Sequence, residues 1–330
     1  MSESLFVGLD APPPYTEGIP PEDDARVSVP DFDRQQRSNE VNRLEAFRHL
    51  VAQHRISNTF ALKLRRLEEY EIVVIADDSS SMQSRSFSSL SVSDPFQPIP
   101  TRWQELKSTL SVVTDIAAAL DHDGIDVYFL NRAPVRAVHT LQDLHRAFAE
   151  PPHGCTPIAR VLDQVLREKR STLTEGHAKK LLVLVATDGA PTTDLGEEDR
   201  RGLERVLLYG RGPRSRDVPV VFLMCGDDEV ERMYLNEWDE RIPDFDVSDE
   251  YERERKQVLD VQGDGFAFSR GDWVCKMLLG PVDLEVDGMD ERRSVSPNPN
   301  PNPDAGVVNQ QCGDKLRRKK RKHSWWRFSE

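Results

Sequence analysis

Apolar residues gather in three short runs without polar alternation: Ile72-Val73-Val74-Ile75-Ala76, Lys180 to Ala186 (KLLVLVA) and Val218 to Met224. Such runs are the pattern of strands covered on both faces, as in a parallel sheet flanked by helices. Between them the period changes. Trp103 to Leu120 carries Leu106, Leu110, Val113, Ile116, Ala117 and Leu120 at helical spacing. Ile125 to Leu130 reads as another strand and His139 to Ala149 as a helix. Ile158 to Arg167 reads as a further helix, with Pro157 suited to its first position. Helical segments are expected at Leu203–Tyr209, around Val230–Trp238 and Glu250–Val261, and last at about Trp273–Leu279. Strands alternating with helices in this way predict an α/β fold: a doubly wound, mostly parallel sheet flanked by helices.

The flanking segments divide the chain further. Residues 1–38 are rich in Pro, Asp and Glu with no apolar period, a composition expected to be disordered. Residues 39–69 form a helical N-terminal extension, with Leu44, Phe47, Leu50 and Val51 and then Phe60, Leu62, Leu64 and Leu67 on either side of a polar break at Ser57-Asn58. The α/β domain is expected over 70–280. From Pro281 the pattern dissolves into a disordered linker and tail, 281–330, that includes the alternating Pro-Asn tract Pro297–Pro303. Inside the domain, Gln83 to Thr101 is Ser- and Pro-rich, the composition of a mobile loop.

Charge is unevenly spread. The net charge is −13, yet the stretch from Lys315 to the end carries eight Lys/Arg against one acid, so the first 314 residues stand at −20. That acidity argues against nucleic-acid binding by the globular part. No stretch approaches the ~20 apolar residues of a membrane span, and the first residues lack a basic region followed by an apolar core. The four cysteines are widely separated with no CxxC pair, which suits reduced thiols. Together these point to a cytoplasmic chain, with nuclear and membrane-peripheral placement as the alternatives, and not to a secreted one.

The chemistry concentrates where the first buried run stops. Asp77, Ser79 and Ser81 supply oxygen-bearing side chains at alternate positions of one loop, the ligand type that Mg²⁺ prefers. Ligand sites of open α/β sheets lie at the carboxyl ends of the strands. Thr156 lies in the loop opening the Ile158 helix, and Asp188 ends the second buried run, so Asp77, Ser79, Ser81, Thr156 and Asp188 are expected to converge there. DDSSSM, then GCTP, then TDG, in that order on those elements, resembles the von Willebrand factor type A (VWA) domain and its metal-ion-dependent adhesion site. The resemblance covers about residues 70–280. It implies that the five residues hold Mg²⁺ or Mn²⁺ directly or through water, and that an acidic side chain of a protein partner fills an open coordination position. Two positions depart from the family pattern: Ser80 and Cys155 stand where it often has glycine, a change expected to strain these loops.

Enzyme signatures are missing: the chain has no GxSxG elbow, GxxxxGK[ST] phosphate loop or HExxH. An aspartyl-phosphate phosphatase needs a second Asp where Ser79 stands. A binding role without turnover is therefore expected. Pro12-Pro13-Pro14-Tyr15 matches the PPxY pattern that WW domains bind, with Pro12, Pro13 and Tyr15 as its defining residues. Lys315, Arg317, Arg318, Lys319, Lys320, Arg321 and Lys322 form a basic cluster followed by Trp325, Trp326 and Phe328. That cluster suits a nuclear import receptor, nucleic-acid contact or an anionic membrane surface. A second functional class follows from these tails: a linear-motif adaptor in which the VWA-like domain is a metal-free scaffold.

Overall fold

The computed structural model describes residues 43–86, 98–120, 123–169 and 179–290. The Pro12-Pro13-Tyr15 motif, the basic cluster from Lys315 to Lys322, the N-terminal tail 1–38 and residues 291–330 of the expected C-terminal tail lie outside the described residues. Among the described residues no helix is long and apolar enough to cross a membrane.

Six strands form one sheet in the order β3-β2-β1-β4-β5-β6. They are β1 (Tyr70–Ala76), β2 (Ile125–Phe129), β3 (Val135–Val138), β4 (Lys180–Thr187), β5 (Val220–Met224) and β6 (Phe245–Ser248). All neighbours pair parallel except β2 and β3, which run antiparallel. The fold is thus the expected α/β class. Two strands were not expected from the sequence. β3 and β6 are each four residues long, too short for an apolar run, and β3 exposes Arg136 and Ala137 on the sheet edge.

Alternate residues of the buried strands feed two cores, as the pleat requires. Ile72, Val74 and Ala76 of β1 join one core with helices α2 (Asn58–Leu64), α3 (Arg102–Leu120) and α9 (Arg270–Leu279). Val73 and Ile75 join the other, with α5 (Ile158–Glu168), α6 (Arg200–Arg205) and α7 (Glu229–Arg241). On the first face lie also α1 (residues 43–53) and α8 (Tyr251–Gln262), contributing Leu50 and Val258. α4 (Leu141–Ala147) is closed by a capping box between Thr140 and Asp143.

The residues ahead of β1 share this core. Phe60, Leu64 and Leu67 are buried, and the Phe60 ring packs 6.2 Å from Phe268. Leu44 and Leu62 point outward instead, being 50% and 78% exposed. Past α9 the chain does not dissolve as expected. A helical turn, Gly280–Val282, leads into α10 (Leu284–Asp287), which buries Val286, and Asp283 takes Lys63 Nζ at 2.7 Å. Pro157 precedes the first turn of α5 as its N-cap rather than entering it. The segment expected as one helix over 203–209 leaves α-geometry at Val206 and closes in a wider π-turn, Val206–Gly210. A cleft of about 610 Å³ opens beside Arg211, Phe245 and Leu284, at the amino ends of β5 and β6. That is the far end of the sheet from the motif residues.

Candidate metal centre at the carboxyl edge of the sheet

From β1 the chain steps outward to β2 and β3, then returns to β4 on the other side of β1. The strand order reverses between β1 and β4, and the crevice at such a reversal is where open α/β sheets bind ligands. The register fixes what meets there. Ala76 pairs with Ala186, so the next residues, Asp77 and Thr187, emerge side by side. Asp77 N donates to Ala186 O at 2.9 Å, and Thr187 Oγ1 donates to Asp77 Oδ2 at 2.6 Å. Asp77 Oδ1 accepts from Ser79 N at 2.8 Å, which turns the loop so that Ser79 Oγ and Ser81 Oγ lie 3.0 Å apart.

Ser81 Oγ donates to Asp188 Oδ1 at 2.7 Å, joining parts of the motif 107 residues apart. Thr156 is buried on the third loop, which is laced to the other two. Ser80 N donates to Gly154 O at 3.3 Å, and Thr156 N donates to Thr192 Oγ1 at 2.9 Å. The Thr156 carbonyl in turn accepts from Thr192 N at 2.9 Å. The three loops bearing the five residues therefore abut at one end of the sheet.

Among solved structures, the chain is similar to the manganese-loaded TRAP protein of Plasmodium vivax. The two share 15% identity over 57% of this chain and 72% of that one, with a TM-score of 0.34. No protein-family model and no curated protein matches the chain.

Neither Ser80 nor Cys155 lies in the left-handed backbone region, so the strain expected from losing glycine there does not arise. The glycine the loop needs is Gly154, at φ +95°, where a Cβ would collide with Asn131 Oδ1. On the β5 side, Gly226 lets its loop close on Asp188, since a Cβ there would stand 2.7 Å from Asp188 O.

The electrostatics turn on two buried carboxylates. Burial, reinforced by the negative charge of Asp188, lifts the Asp77 carboxyl from 3.8 to about 6. Among the described residues no Lys, Arg or His forms an ion pair with Asp77. Asp188 differs. Its Oδ2 takes Arg102 Nη1 at 2.7 Å, and Arg102 Nη2 reaches Asp227 Oδ1 at 2.9 Å. Burial, with Asp188 and Asp77 close by, pushes the Cys225 thiol well up.

A second set of residues holds the loop without facing the crevice. Asp78 is fully buried and accepts from Asn131 N at 2.8 Å, Asn131 Nδ2 at 3.1 Å and Arg132 Nε at 2.7 Å. Its carbonyl accepts from His153 N at 2.6 Å, and Asn131 Nδ2 also reaches Cys155 O at 2.8 Å. Asp78 thus ties the motif loop both to the end of β2 and to the Thr156 loop. Sequence reasoning passed over Asp78, Asn131, Arg132, Thr187, Thr192, Arg102 and Asp227. The doubled Asp77-Asp78 after a buried strand was the one available signal, because a second acid there must find a partner.

Among the described residues no group of three or more His, Cys, Asp or Glu side chains is arranged to hold a metal ion. The donors here are two carboxylates and hydroxyls, the hard-oxygen chemistry that suits Mg²⁺ or Mn²⁺ rather than softer metals. Asp77, buried without a cation beside a second carboxylate, fits a cation site on electrostatic grounds. Arg102 occupies one oxygen of Asp188 that such an ion would contend for.

Proposed function

We propose that this chain is a VWA-type interaction module that captures an acidic side chain of a protein partner through a divalent cation. Asp77, Ser79, Ser81, Thr156 and Asp188 would hold Mg²⁺ or Mn²⁺. The observation that carries the reading is the 2.7 Å bond from Ser81 Oγ to Asp188 Oδ1, which brings the DxSxS loop onto the TDG loop beside an unpaired, buried Asp77. When bound, the ion supplies a positive charge that hydroxyl ligands leave largely unspent, so an incoming carboxylate gains a strong contact. The protein's own part is to orient the donors. The β1–β4 register sets both carboxylates, and the Asp78 hub sets the angle of the loop. No bond is made or broken in this reading, and the role is binding without turnover.

The tails would direct the module, with Pro12, Pro13 and Tyr15 engaging a WW domain. The Lys315–Lys322 cluster would engage an import receptor or an anionic membrane. Affinity capture of partners by the full chain, with Mg²⁺ or with EDTA, tests the central reading. Capture should be lost in EDTA and in Asp77→Ala and Thr156→Ala variants that remain folded. Capture indifferent to all three would refute it.

A second reading, the metal-free scaffold whose partners bind the tails, is favoured by the Arg102–Asp188 ion pair, which neutralises Asp188 without any metal. Deleting residues 1–38 and 296–330 separates the two. Under the scaffold reading every partner is lost, whereas a metal-dependent partner survives the deletion.

A further inference from the structure

We propose that Arg102 is a built-in competitor for the cation at Asp188, and that Asp227 is where its guanidinium stays once the cation has taken Asp188. This rests on the metal-site reading above and adds its regulation.

Arg102 is the first residue of α3, and its backbone is fixed. Its N–H donates to Ser84 O at 3.0 Å, and Arg85 and Thr101 form a short antiparallel bridge just before it. Any change at Arg102 is therefore confined to the side chain. That side chain is 14% exposed and spans two carboxylates of opposite character. The Asp188 carboxylate is wholly buried, whereas that of Asp227 is 59% exposed. With Ser81 on Asp188 Oδ1 and Arg102 on Oδ2, both oxygens of Asp188 are engaged.

A guanidinium has no acceptor and cannot lose its proton, so it yields Asp188 only by moving away. An isolated buried arginine would resist that move, because it would leave a charge unpaired. Asp227 removes the difficulty. It already holds Nη2 at 2.9 Å, and it faces water, where releasing or re-forming the pair costs little. Asp77, with no cation beside it, is free of this competition, so the contest is confined to one of the two carboxylates. The arrangement makes the resting site close to charge-neutral at Asp188. It also makes loading by an ion inseparable from a side-chain shift at the start of α3.

The probe is Mn²⁺ alone, with free ion followed by electron paramagnetic resonance in titrations of the full chain. Wild type, Arg102→Met, Asp227→Asn and the double variant are compared, with Asp77→Ala as the control for the site itself. A neighbouring cation changes the affinity of a carboxylate for a proton by about ten- to a thousandfold. Arg102→Met should accordingly tighten Mn²⁺ binding by at least about tenfold. Asp227→Asn should weaken binding in the wild-type background and do far less once Arg102 is gone. Thermal melts in EDTA check that each variant is folded, and Arg102→Gln replaces Arg102→Met if the latter is not.

Wild-type binding that Arg102→Met and Arg102→Gln leave unchanged or weaken overturns the competitor role while the metal site stands. Binding that is the same in the Asp77→Ala control, or absent from wild type and both Arg102 variants, overturns the site and the competitor together. Binding that appears only after Arg102 is replaced supports the proposal in its strongest form.

Discussion

Asp77→Asn tests the electrostatics of the site with no partner in hand. Asp77 is wholly buried, and burial together with Asp188 raises its carboxyl from 3.8 to about 6. That difference corresponds to about 3 kcal/mol favouring the neutral form in the folded chain. At pH values below the ordinary carboxylate range the group is protonated in folded and unfolded chains alike and has no effect. As pH rises towards about 6, the unfolded chain ionises freely while the folded one resists, so stability declines across that window and then levels off. Asparagine cannot ionise. It retains an acceptor for Ser79 N, and its amide can donate to a rotated Thr187 hydroxyl. In EDTA at pH 7.5 the D77N variant should therefore exceed wild type by up to about 3 kcal/mol, at ~2–4 °C per kcal/mol for a domain of this size. Near pH 4 the two should converge. Glu250, raised to about 7 by burial and by Asp249, acts in the same direction, so the variant keeps part of the wild-type decline. Urea titrations across pH 4 to 8 read this directly. A difference between variant and wild type that does not change with pH, or a variant that is weaker at pH 7.5, would refute the reasoning.

Three further outcomes follow from the packing. Asp78→Ala removes the closer of Arg132's two ion pairs, leaving Glu150 Oε2 at 3.9 Å, and strips three bonds from the loop hub; a loss of about 2–3 kcal/mol should appear in denaturant titrations. Gly154→Ala combines a left-handed φ with a clash at Asn131, so a lowered melting temperature, equivalent to about 1–3 kcal/mol, is expected and should be accompanied by weaker Mn²⁺ binding. In α9, Lys276 is buried against Glu254 at 2.6 Å, and burial raises the Glu254 carboxyl while Lys276 opposes it. Lys276→Met alone should cost several kcal/mol, and pairing it with Glu254→Gln should restore part of that in the same assay, because the amide removes the unpaired charge yet keeps an acceptor for Asp249 N, 3.0 Å away.

Legibility in the sequence followed burial. β1, β4 and β5 could be read because each is apolar over five residues or more, short and rich in β-branched residues, the pattern of a doubly covered strand. β3 and β6 escaped because four residues such as Phe245-Asp246-Val247-Ser248 carry no period long enough to separate from a loop. The loops that carry the DxSxS, Thr and Asp elements could be placed because each sits directly beyond a recognisable strand or before a recognisable helix. Arg102 was not, since nothing in Thr101-Arg102-Trp103 tells that its side chain crosses to loops 86 and 125 residues further on. Partner choice by a long, flexible cation is decided by the assembled surface, and no local pattern encodes it. Residues 281–290, expected to lie in the disordered tail, are instead built into the domain for a related reason: Lys63 grips Asp283 across 220 positions.

The pairing of β1 with β4 has one more consequence. Sliding either strand by a single position would exchange the side chains between the two hydrophobic layers and withdraw Asp77 from Thr187 in the same motion. The placement of the acid is thus insured by the whole interior, and mutation has little freedom to shift it by a fraction of an ångström. Any diversification at this edge must instead come from a segment that carries neither the anchor nor its ties, such as 193–198. There, length and composition can drift while the anchor underneath stays where it is.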